Sequence, residues 1–125
     1  MGAVSAPDAH AWLARLKSAW ESRDADAAAA LFAQDVLYCE DPFGEALRGR
    51  EAVRAYWRAM LADQQDVRFA GEVLADTPQQ RVIHWQVRYR GAGGAVELSG
   101  VSAGEPDATG LPRRWREWWH RRALQ

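Results

Sequence analysis

Cysteine is nearly missing from this chain, with Cys39 the only one among 125 residues. That excludes an intramolecular disulfide, and no CxxC pair or His/Cys cluster at zinc-ligand spacing exists to suggest a metal. A reducing, cytoplasmic setting is the expectation, and no cofactor is called for. An excess of either charge is missing too, since 16 Lys and Arg face 17 Asp and Glu. Without a basic field, neither nucleic acid nor an anionic membrane surface is an expected partner. Long apolar runs are absent: nothing approaches the about 18 uncharged residues of a membrane helix. Met1 to Asp8 lack the basic start and apolar run of a secretory leader.

Tyrosine and phenylalanine are scarce, three of each, but tryptophan is not: seven occur, at positions 12, 20, 57, 85, 115, 118 and 119. An indole brings a large rigid apolar surface and one N–H donor, which suits a core or the wall of a ligand pocket equally. The length fits one domain, residues 1–125, with room for one continuous core.

Pro7 and Asp8 open a helix in which Trp12, Leu13, Leu16 and Trp20 form one apolar stripe. Asp24 is placed to cap a short alanine-rich helix carrying Leu31 and Phe32. Val36 to Cys39 reads as a short strand stopped by Asp41-Pro42. After Gly49 a third helix gathers Val53, Tyr56, Trp57, Met60 and Leu61 on one face. From Asp66 the period becomes two. Val67, Phe69, Gly71 and Val73 alternate with polar neighbours, and so do Ile83, Trp85, Val87 and Tyr89. Turns at Asp76 to Gln79, Gly91 to Gly94 and Asp107 to Gly110 separate these strands from two more, about Val96 to Ala103 and Arg113 to Arg121. Helices followed by an antiparallel meander predict an α+β fold.

Four segments carry a resemblance: Ala30 to Val36, Glu40-Asp41-Pro42-Phe43-Gly44, Gly49 to Trp57, and Asp107 to Gly110 with Arg116-Glu117-Trp118-Trp119. Through them the chain resembles the SnoaL-like branch of the nuclear transport factor 2-like superfamily, the cone fold of ketosteroid isomerases, polyketide cyclases and limonene epoxide hydrolases. The resemblance implies a curved antiparallel sheet wrapped around N-terminal helices, enclosing an apolar pocket. It says little of function, because the architecture hosts isomerases, dehydratases, hydrolases and non-catalytic modules.

Two carboxylates are candidates for chemistry. Asp41 ends the early strand where the Glu-Asp-Pro pattern of ketosteroid isomerases puts the general base, and burial among apolar groups would raise its proton affinity. An Asp before Pro is equally a common strand terminator. Glu117 shares one face of the last strand with Trp115 and Trp119, while Arg114, Arg116, Trp118 and His120 share the other. If the Trp115 face is concave, as the resemblance implies, Glu117 is a lone carboxylate between indoles; otherwise it is a surface group paired with Arg88 or Arg114. The isomerase's helix-one tyrosine and its later-strand acid fall here near Leu16 and Ser102, so steroid isomerisation by that oxyanion site is not expected. The indole N–H of Trp57 and the hydroxyl of Tyr38 remain as donors for a developing charge.

His84 falls on the outer face, His10 and His120 near the chain ends, and Ser99 and Ser102 lack a nucleophile elbow. Cys39, beside Glu40 and Asp41, makes a poor thiolate. Epoxide or ester hydrolysis would need an Asp-Arg-Asp constellation that these residues do not supply.

The expected function is therefore a cofactor-independent isomerase, cyclase or dehydratase acting on a hydrophobic small molecule. Asp41 and Glu117 would be catalytic, and Trp57, Trp85, Trp115, Trp119, Tyr38, Tyr56 and Tyr89 would be the walls. The alternative is a non-catalytic module of the same fold that binds a hydrophobic ligand or only dimerises. His84, Gln86, Arg88, Glu97 and Trp118 give the outer sheet face enough bulk to predict a homodimer.

Overall fold

A computed structural model describes residues 8–124, so Pro7 and most of the leader reading for Met1 to Asp8 lie outside the described residues. Helix α1 spans Ala9–Glu21, and the Asp8 carboxylate caps it by accepting from the Ala11 N–H at 2.7 Å. Its buried face is Trp12, Leu13, Leu16, Ala19 and Trp20, the stripe expected from the spacing. Helix α2, Ala25–Ala29, is capped in the same way by Asp24. Strand β1 is Leu37–Cys39 and strand β2 is Leu47–Arg48. Helix α3, Arg50–Ala62, begins at Gly49, whose φ of 88° suits a residue without a β-carbon. Val53, Trp57 and Leu61 form its buried edge.

Four long strands follow: β3 Gln65–Asp76, β4 Arg81–Gly91, β5 Gly94–Pro106 and β6 Pro112–Ala123. They join β1 and β2 in one open six-stranded sheet, ordered β2-β1-β6-β5-β4-β3. Every pairing is antiparallel except β1 with β6, which run parallel with Tyr38 opposite Trp115. A three-residue strand carries no signal of its partner's direction, and β2 is too short to show a period at all, so the sequence reading lacked both features. The fold is the expected cone: α+β, with the sheet bent over the helices. Irregularities in β3, between Gln65 and Arg68 and between Val73 and Ala75, are the kind that sharpen such a bend.

Two aromatic clusters fill the hollow. At one end Trp12, Phe32 and Trp115 pack with ring centroids 5.2 to 5.9 Å apart, and Tyr38 leans on Phe32 at 5.3 Å. At the other, Trp20 lies 4.9 Å from Trp57, edge to face, and 5.4 Å from Trp85. The first cluster is solid core; the second borders a cavity.

Candidate active site

The phase of β6 decides the geometry. Its odd-numbered residues Glu117, Trp119 and Arg121 face the hollow and its even-numbered ones, Trp118 among them, face away. A cavity of about 230 Å³ results, lined by Trp20, Tyr38, Tyr56, Trp57, Met60, Gln64, Trp85, Tyr89, Leu98, Glu117, Trp119 and Arg121. That is smaller than the roughly 300–1,000 Å³ of sites for drug-sized ligands. Trp20, Tyr38, Trp57, Trp85, Gln64 and Glu117 are buried and make the closed end. Trp119, Arg121, Tyr89, Tyr56 and Met60 keep solvent exposure and frame the opening.

Glu117 is the only carboxylate among the described residues of this wall. Its Oε1 accepts two hydrogen bonds, from the Tyr38 hydroxyl at 2.5 Å and from the Trp115 indole N–H at 2.8 Å. No described residue donates to Oε2. Desolvation dominates its acidity: burial pushes the carboxyl up from 4.5 to about 7, against the two donors, with Glu40 adding a like charge. Tyr38 is pushed well above its ordinary range, first by burial and then by Glu117, and Tyr56 is raised for the same reasons. The buried indoles Trp12, Trp20, Trp85 and Trp115 donate to Leu31 O, Gln64 Oε1, Ser102 Oγ and Glu117 Oε1. The Trp57 N–H has no acceptor in hydrogen-bonding geometry, although it stands close enough to the Tyr38 oxygen to oppose the rise in that hydroxyl's pKa.

Asp41 is not part of this assembly. It sits exposed after β1, where Oδ1 accepts from the Phe43 N–H at 2.9 Å and its carbonyl from the Gly44 N–H. The residue closes an Asx turn and keeps its carboxylate in water, so the expectation of apolar surroundings for it is corrected. Trp115 is corrected as well: it belongs to the solid cluster with Trp12 and Phe32, and only its N–H serves the site. Tyr38, Tyr56, Tyr89, Trp57, Trp85 and Trp119 do line the cavity.

Sequence reasoning missed Trp20, Met60, Gln64, Leu98 and Arg121. Gln64, 3 % exposed, gave no sign because it lies just beyond α3, outside any periodic segment. Arg121 was within reach, since it continues the odd-numbered series of β6. Ser102, at the expected acid position, instead accepts from the Trp85 N–H at 2.9 Å. His84 lies outside the cavity, between Glu72 and Ser99 at 3.3 Å each. Among the described residues no three His, Cys, Asp or Glu side chains gather as metal ligands, and no helix is long and apolar enough to cross a membrane.

The SnoaL-like domain family matches residues 10–121, nearly the whole chain. The protein belongs to the SnoaL-like family. No curated protein matches this SnoaL-like chain. Solved structures resemble it at low identity. RV0760c from Mycobacterium tuberculosis is 20% identical with a TM-score of 0.75, the match covering 95% of each chain. The epoxide hydrolase/cyclase-like enzyme SalBIII, of pyran ring formation in salinomycin, is 14% identical with a TM-score of 0.76, covering 90% of this chain and 93% of that one. A computationally designed 17-OHP binder is 22% identical with a TM-score of 0.72, covering 90% and 96%. Such likeness establishes the cone fold.

Proposed function

We propose that this SnoaL-like protein is a cofactor-independent enzyme of the isomerase, cyclase or dehydratase type, with Glu117 as its general acid/base. The observation that carries the reading is the single carboxyl in an aromatic cavity, fixed through Oε1 and unencumbered at Oε2. A carboxyl with a pKa of about 7 is populated in both protonation states near neutrality, the condition under which one group can take a proton from carbon and return it elsewhere. Tyr38 and Trp115 hold the carboxyl in place through Oε1 and damp the cost of charge, leaving Oε2 to react. Fold neighbours that include a cyclase-like enzyme and the BvnE pinacolase of Penicillium brevicompactum support a chemistry of rearrangement at oxygenated carbon. The cavity volume favours a compact substrate with an apolar body. Asp41 takes no part.

A second reading, a non-catalytic binder of a hydrophobic molecule, draws on the designed binder that shares the fold. In it, Glu117 only anchors a ligand hydroxyl. The experiment that separates the two is turnover of a panel of small enones, ketones and epoxides by the wild type, Glu117→Gln and Asp41→Asn. An enzyme loses on the order of 100-fold or more in rate with Glu117→Gln, the usual contribution of general acid/base catalysis, and nothing with Asp41→Asn. Its pH–rate profile has a limb near the Glu117 pKa. A Glu117→Gln variant that turns over at the wild-type rate ends the catalytic reading.

The convex sheet face supports a homodimer. Trp118 is 47% exposed there, under the Arg116 guanidinium at 5.6 Å, and Glu97 is gripped by Arg88 and Arg122. With Cys39 the lone thiol, a reducing cytoplasm suits the protein.

A further inference from the structure

Two adjacent arginines near the end of β6 have opposite surroundings. Arg122, on the convex face, donates to Glu97 Oε1 from Nε at 2.8 Å and pairs with it again through Nη2. Arg121, on the concave side opposite Leu98, lines the cavity opening, and its side chain makes no hydrogen bond or ion pair with any described residue. It also borders a groove beside Glu97, but that carboxylate is already taken by Arg88 and Arg122. The rest of the wall is aromatic, aliphatic or neutral apart from Glu117.

From this placement we infer that the substrate is a compact anion: an apolar body whose oxygen function meets Glu117 and whose carboxylate or similar group meets Arg121 at the opening. The inference rests on the acid/base reading of the same cavity and adds the charge of its substrate. The two positions lie four steps apart on the strand, about 13 Å along the backbone, a span that suits one small ring system with a group at each end. An unpaired guanidinium presents several N–H donors in the fork that matches a carboxylate, and its low hydration cost favours that use. At the closed end the indoles offer no comparable site for a charge, so the anion is oriented outward and the reacting atoms inward.

The test compares 2-naphthoate with 2-naphthamide, which share shape and differ in charge. Binding is followed by calorimetry and by the indole N–H resonances of uniformly 15N-labelled protein at low salt. The naphthoate is expected to bind roughly three- to tenfold more tightly, the gain of one partly exposed charged pair. Arg121→Gln is expected to erase that preference, whereas Arg122→Gln, which removes the same charge from the other face, keeps it. Equal affinity of the two compounds in the wild type overturns the inference, as does a preference that survives Arg121→Gln or disappears equally in Arg122→Gln. Indole shifts with both compounds but no preference leave the cavity reading standing and remove only the anion. Failure of both compounds to bind at millimolar concentration removes both.

Discussion

Tyr38 and Glu117 stand 79 positions apart in the chain, yet the tyrosine hydroxyl donates to Oε1 of the glutamate across the parallel seam between β1 and β6. This bond joins the early part of the chain to its final strand at the closed end of the cavity. It also sets how much charge Glu117 can bear there.

The first expectation concerns stability and pH. Glu117 titrates near 7 in the folded protein against 4.5 in the open chain. Between those values the folded state holds a proton that the unfolded state has lost, so stability falls as pH rises through the window and is flat above it. The full effect is about 3 kcal/mol as an order of magnitude. Carboxylates held low, such as Glu21 with its Lys17 partner and Glu97 with Arg88, act in the opposite sense and only in acid. Urea unfolding at pH 5 and pH 8 checks this: the wild type should lose stability between them relative to Glu117→Gln. Parallel pH dependences for the two proteins would refute the raised pKa.

Removing the Tyr38 hydroxyl tests the bond itself. Tyr38→Phe keeps the ring against Phe32 and Trp115 but deletes a donor to the charged form of Glu117. The carboxyl should then titrate above 7, and the variant should lose about 1–3 kcal/mol at pH 8, with a smaller loss at pH 5. A 13C-labelled glutamate side-chain titration reads the midpoint directly. A midpoint unmoved, or moved down, would show that the hydroxyl does not stabilise the carboxylate.

How much of this was legible follows from period and length. Long alternating strands reveal which residues share a face, and so Glu117 could be set beside Trp119 from spacing, whereas the concave side of that face came from the resemblance. The α3 stripe of Val53, Trp57 and Leu61 was equally plain. Asp41 was not, because a residue after a three-residue strand has no phase, and an Asx turn and a buried base share the same sequence, Asp-Pro. The split of the tryptophans between solid core and cavity wall was also hidden. Trp20 reads as part of a packing stripe and Trp115 as a wall, and only the sheet's bend decides that Trp20 meets empty space while Trp115 meets Trp12.

The outer sheet face yields an expectation about assembly. Trp118 projects from it among charged neighbours, and a twofold pairing of this face would bury the indole. Sedimentation equilibrium should find a dimer for the wild type at micromolar concentration. Trp118→Glu should shift it to monomer with an unchanged far-ultraviolet circular dichroism spectrum. A monomeric wild type would remove the dimer from the account.

Gly100 sets the width of the cavity's sheet wall. It pairs with Trp85 on one side and Trp119 on the other, and the absence of a side chain lets the Trp85 indole lie over the strand toward Ser102. A β-carbon at this position would meet Trp85 Cζ2 at 2.5 Å and Trp119 Cβ at 2.8 Å. Both neighbours are stiff, and the Trp119 atom is next to backbone, so neither can yield cheaply. Gly100→Ala should therefore displace the Trp85 ring, weaken its bond to Ser102 and cost about 1–3 kcal/mol in unfolding free energy, the usual effect of overpacking. The Trp85 indole N–H resonance should move with it. The displaced ring has the cavity as its nearest free space, so ligand affinity should drop further than stability alone accounts for. A fully stable variant with an unshifted Trp85 resonance would mean that the strand relaxes outward and that the wall is not set by this contact.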